Sequence, residues 1–136
     1  MIQVIPGKKG SGKTKRIIDM TNIAAQESGH DTVFIDDDNR YMFDLRHQVR
    51  FINAGDYHLE NDQMFIGFLS GIVAQNFDLG LIAIDAFKKL IKVELRDASG
   101  VFARLEEISE KHSVNFLISI SEDPADLPDF IQRYVI

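Results

Sequence analysis

Positions 7–14 read GKKGSGKT. Gly7, Gly12, Lys13 and Thr14 fit the pattern Gly, any four residues, Gly, Lys, Ser or Thr. A run this rich in glycine fills no core and is costly to order, because glycine loses the most backbone entropy on folding. It makes sense as a loop that wraps a phosphate. Gly7, Gly10 and Gly12, with Lys8, Lys9 and Ser11 between them, let backbone N–H groups turn inward as a nest around phosphate oxygens. A helix starting near Lys13 adds free N–H groups and the positive end of its dipole. Lys13 then supplies charge to the β- and γ-phosphates, and the Thr14 hydroxyl is a ligand for Mg²⁺. Such a loop needs a second acid to hold the metal through water, at the C-terminal end of a buried strand beside the first. Asp85, which ends the apolar run LGLIAID, fits that place.

The elements that must position these residues alternate along the chain. Strand-like and helix-like stretches follow one another, which argues for an α/β domain with a mostly parallel sheet of about five or six strands. Strands are expected at residues 2–5, 32–36, 49–54, 79–85 and 114–121, with the final RYVI as a short sixth. The unbroken apolar run at 79–85 marks a strand buried on both faces. A helix over 13–27 would turn Ile17, Thr21, Ala24, Ala25 and Ser28 inward, with Gly29 where a C-terminal cap belongs. Asn61 or Asp62 caps a second helix with a stripe of Met64, Phe65, Phe68, Leu69, Ile72 and Val73. Asp97 or Ser99 opens a third, with Val101, Phe102, Leu105 and Ile108 inward.

Composition narrows the class. The chain has 136 residues, 45% of them hydrophobic, and reads as one domain over 1–136 with a real core. It has no cysteine, hence no disulfide framework and no Cys-based zinc site. With no basic-plus-apolar leader pattern, the expected compartment is the cytoplasm. The run MFIGFLSGIVA is too short to span a bilayer. A net charge of −6 makes nucleic acid a poor partner unless the basic residues cluster.

With the loop and Asp85 in place, nearly the whole chain resembles the P-loop NTPases, with their three-layer α/β/α fold. Two branches compete. The recombinase-like branch places strands between the phosphate loop (Walker A) and the Walker B acid, and residues 49–121 look like that core. Members often carry a catalytic Glu directly after the Walker B Asp. Here Ala86 stands there, and in some members the acid comes from the end of the neighbouring strand, where Asp36, Asp37 and Asp38 stand. Ser119 or Ser121 would take the polar sensor position. The second branch, the partitioning and cell-division-site ATPases, has an extra lysine directly after the first Gly, matched by Lys8, and a strand ending Asp, any residue, Asp, matched by Asp36 and Asp38. It departs at Lys9, where that branch has Gly, and those proteins are far longer. The chain also looks like a group of small stand-alone bacterial ATP-binding proteins. The resemblance implies ATP and Mg²⁺ as ligands and slow hydrolysis, with Asp38 or Asp36 orienting the attacking water. It leaves open an unknown protein partner, a homo-oligomer with Lys8 acting across a dimer, a nucleotide-dependent switch with little hydrolysis, and a small-molecule kinase with residues 39–50 as its lid. ATP is preferred to GTP because the base-reading pattern Asn-Lys-x-Asp is absent.

Side chains alternate along an extended strand. If the strand persists through the acidic run, Asp36 and Asp38 share a direction and Asp37 does not. Arg40, Arg46 and Arg50 are candidate phosphate-sensing fingers, and Pro124 or Phe130 a surface for the base. His30, His47, His58 and His112 lack metal-ligand spacing, and FKKLIKVELR at 87–96 reads as an amphipathic surface element.

Overall fold

The computed structural model describes residues 1–136. Runs rich in Ile, Val and Phe form five strands: β1 (Ile2–Gly7), β2 (Asp31–Asp36), β3 (Val49–Asn53), β4 (Leu79–Ile84) and β5 (Asn115–Ser121). All pair in parallel, in the order β1-β5-β4-β2-β3. Parallel neighbours need crossovers, and helices supply most of them: α1 (Lys13–Glu27), α2 (Asp62–Ala74), α3 (Phe87–Ile91) and α4 (Ser99–His112), with the short α5 (Asp129–Gln132) near the end. No helix is long and apolar enough to cross a membrane.

The pleat decides which helix lies on which face. Val33, Ile35, Ile82, Ile84, Phe116 and Ile118 point into a large cluster shared with α2, α3 and α4. Ile5, Phe34, Ala83 and Leu117 point the other way, against Ile17 and Ile18 of α1. The sheet is therefore sandwiched, with α1 on one face and α2–α4 on the other, a three-layer α/β/α fold. On the larger side Phe87 meets Phe65 and Phe102 edge-on, with ring centroids at 6.0 and 5.5 Å. This aromatic chain anchors α3 directly after Asp85.

Several local expectations need correction. RYVI is not a strand. It makes one parallel bridge, Val4 with Val135, flanked by bonds from Val4 N–H to Tyr134 O and from Ile136 N–H to Val4 O. Gly29 does not cap α1: Ser28 does, in extended conformation, with its N–H donating to Ala24 O. Ile18 is buried on α1, whereas Ser28 is exposed. On α2 the buried face is Phe65, Ile66, Leu69 and Val73, with Met64 outside, because the helix also leans on α3 and α4. Asn61 is its cap, accepting from Met64 N–H at 2.8 Å. α4 starts at Ser99 with no side-chain cap. β4 is not beside β1, since β5 lies between them.

Candidate functional site

The chain leaves β1 at Gly7 and re-enters regular structure at Lys13, so the glycine-rich segment is a loop at the C-terminal edge of the sheet. A Cβ on Gly7 would meet the Ser11 hydroxyl, so the loop packs its own side chains closely over that glycine. Gly10 and Gly12 have open space around them but φ of +84° and +89°, a region that glycine enters without steric cost. Ser11 N–H is taken by Lys8 O at 3.0 Å and Arg16 N–H by Gly12 O at 3.1 Å. The N–H groups of Lys9, Gly10, Gly12, Lys13 and Thr14 donate to no acceptor of the chain. They are a set of donors suited to an anion. Lys13, only 9% exposed, lays its ammonium against Lys8 O at 3.1 Å.

Opposite the loop stand the ends of β4, β5 and β2. The Thr14 hydroxyl donates to Asp85 Oδ2 at 3.1 Å, and the buried Ser119 hydroxyl donates to Asp85 Oδ1. Asp85 is thus held from both sides, by α1 and by β5, while its own N–H donates to Ile35 O of β2 at 2.9 Å. A hydroxyl and a carboxylate facing each other are hard oxygen donors, the set that Mg²⁺ takes. Ala86, directly after Asp85, has φ +59°, and the chain turns there straight into α3.

The acidic run does not continue β2. The strand ends at Asp36 and the chain bends over 37–39, so the alternation expected for Asp36 and Asp38 does not apply. Each turn is stabilised locally: Asp37 N–H donates to Asp36 Oδ1 at 2.7 Å, and Arg40 N–H to Asp38 Oδ1 at 2.9 Å. Such side-chain-to-backbone bonds compete with the strand ladder. The three carboxylates lie within 4.8 Å of one another but in different settings. Asp36 is 3% exposed and sits on the α1 face beside β4. Burial pushes its carboxyl up to about 7, helped by a bond to the Asp37 side chain and the charges of Asp85 and Asp37, against the pull of the Asp37 N–H. Asp37 pairs with Lys89 at 3.5 Å. Asp38 pairs with Arg40 at 3.0 Å, and the Arg40 N–H and guanidinium hold its carboxyl below the usual carboxylate range.

Loop, strand ends and acidic run enclose a cleft of about 890 Å³. It is lined by Lys9, Gly10, Gly12, Lys13 and Thr14, by all three acids of the run and by Asp85, whereas Gly7, Lys8 and Ser11 are outside its lining. Lys8 pairs with Asp123 at 3.6 Å. Of the three arginines only Arg40 reaches the cleft, and Ser121 is at its rim. Pro124 and Phe130 are outside it, and Phe130 packs on Phe102 with centroids at 6.0 Å. Residues 39–50 contribute Arg40, Tyr41 and Asp44 to the cleft lining. They are tied to α1 by Asn22, which donates to Asp44 O and accepts from Arg46 N–H. Sequence reasoning missed Lys88 and Lys89, which line the cleft from the exposed side of α3. The available signal was their spacing, one turn after Asp85.

The chain matches no protein-family model, and a search of curated proteins likewise finds no match.

Proposed function

We propose that this chain is a Mg²⁺-dependent ATP-binding protein of the P-loop NTPase class, with slow ATP hydrolysis. The observation that carries the reading is the 3.1 Å bond from Thr14 to Asp85, which joins the loop to a strand end 71 residues away. That pair would hold Mg²⁺, Thr14 directly and Asp85 through water, and the metal would supply neutralisation of phosphate charge. The free loop N–H groups and Lys13 bind the phosphate oxygens. Ser119 fixes the rotamer of Asp85. The strand order favours the recombinase-like branch, because β5 stands between the loop strand and the strand of Asp85.

With no carboxylate at Ala86, the acid for water comes from the neighbouring strand. Asp36 suits it better than Asp38, because Asp36 adjoins Asp85 whereas Asp38 is held by Arg40. Asp36 orients a water and receives its proton as the water oxygen bonds to the γ-phosphorus and the bond to the β-phosphate oxygen breaks.

Calorimetry with ATP tests the reading. Lys13→Ala is expected to weaken binding by roughly 10²-fold or more, the scale of losing a charge-assisted bond, with the fold intact by circular dichroism. Equal affinity in the folded variant would refute the loop assignment. A kinase reading is favoured by one feature: Arg40, Tyr41 and Asp44 bring residues 39–50 to the wall of the cleft, next to which a lid would act. Product analysis with candidate acceptors separates it from hydrolysis.

A further inference from the structure

A second cleft, of about 630 Å³, adjoins the first, and the two share Asp37, Lys88 and Lys89 as lining residues. Its size is that of a small-ligand pocket. Its polar lining is mostly basic: Lys88, Lys89, Lys92 and His58 line it together with the single acid Asp37. This concentration occurs in a chain of net charge −6. Lys88 is balanced by Glu122 at 3.0 Å and Lys89 by Asp37 at 3.5 Å, but Lys92 has no carboxylate within 4.0 Å.

His58 and Lys92 are left-handed C-cap residues of short helical turns, with φ of 53° and 59°, a conformation that glycine adopts with less strain. The chain instead keeps a cationic or ionisable side chain at both positions, and both line the same cleft. Gly55 completes the wall: a Cβ there would strike the Asp37 carbonyl at 2.6 Å, so the loop after β3 closes against the acidic run only with glycine.

We propose that this cleft is a binding site for a small phosphate monoester, a second ligand held beside the main cleft. Lys92 and His58 contact the phosphate, and Lys88 and Lys89 supply the surrounding field. A concave site of this volume, in an acidic chain, suits a small dianion better than a nucleic-acid backbone. The site shares Asp37, Lys88 and Lys89 with the main cleft, but Lys92 and His58 belong to it alone, and it does not rest on the nucleotide reading of the loop.

The test is a titration of ¹⁵N-labelled full chain, without nucleotide, by glycerol 3-phosphate and by inorganic phosphate, with sodium chloride at matched ionic strength as control. Saturable shifts are expected at the amides of Gly55, His58 and residues 88–92, with a Kd of about 1 mM or below. Lys92→Gly and His58→Gly, which relieve the backbone strain, should keep or raise thermal stability and weaken binding roughly tenfold. Lys13→Ala should leave the shifts in place, so failure of the loop assignment is read separately. Glycerol 3-phosphate binding more tightly than inorganic phosphate supports a monoester site; the reverse order overturns it. The proposal also falls if the shifts follow sodium chloride, appear only at residues 7–14, survive both glycine variants undiminished, or are exceeded at the same residues by a single-stranded RNA decamer.

Discussion

Replacing Asp36 by asparagine should stabilise the fold above pH 7 while disabling the site. Asp36 is 3% exposed at the end of β2, and burial is the largest force on its carboxyl. Its pKa is pushed from 3.8 to about 7. The folded state therefore holds the proton more tightly than the unfolded state. That contribution to stability is fully present below the unfolded value and is lost as pH rises through the folded one. Three pKa units amount to roughly 4 kcal/mol at most, and about two of them lie between pH 5 and 7. Asparagine has the same shape, keeps an oxygen for the Asp37 N–H, and carries no charge to desolvate. Urea unfolding of both proteins from pH 5 to 8 measures the difference. The variant's advantage should widen by up to roughly 3 kcal/mol across that range. Parallel curves would refute the reasoning, because they would mean that Asp36 titrates alike in the folded and unfolded chain.

The same variant should cut single-turnover ATP hydrolysis by roughly 10² or more, whereas Asp38→Asn, whose residue is already engaged by Arg40, should cost far less; a larger loss for Asp38→Asn would reverse the assignment. Asp85→Asn should weaken ATP binding in Mg²⁺ by roughly tenfold and leave Mg-free binding nearly unchanged, a contrast that calorimetry with and without the metal resolves. Phe87→Ala removes a fully buried ring from the aromatic chain under α3 and should cost about 3–5 kcal/mol in urea unfolding; a cost under about 1 kcal/mol would mean that α3 is not anchored there.

Much of the frame was legible because it follows from local rules. The bounds of α1 match the expectation at both ends, since the loop pattern sets its start and the chain turns polar at its end. The inward face of α4 matches as well: Val101, Phe102, Leu105 and Ile108 are buried at helical spacing. On α2 the periodicity misleads. Ile66 is buried and Met64 is not because α2 touches both α3 and α4. α3 has five residues, too few for a period to declare itself, so Lys88 and Lys89 read as surface when they also line the cleft. The end of α1 invited a glycine cap, but Ser28 caps it through its own backbone N–H.

The acidic run shows the deeper limit. The pattern Asp-Asp-Asp identifies a strand end, but two facts that decide its chemistry are not written locally. One is the bend: aspartates accept bonds from nearby backbone N–H groups, so the residues that could continue the strand are also those able to end it. The other is strand order. Thr14, Ser119, Asp85 and Asp36 come from four elements and meet because β5, β4 and β2 lie side by side with their C-terminal ends aligned. With β2 on the far side of β4 from β5, Asp85 has a hydroxyl on one flank and an acid on the other. The hydroxyl donates to Asp85 and leaves its charge in place. The acid is driven toward the protonated form mainly by its burial, with the charge of Asp85 adding to it. The end of β2 buries Asp36 against the sheet while Asp37 and Asp38 lie beyond the strand, and that difference separates it from its two neighbours.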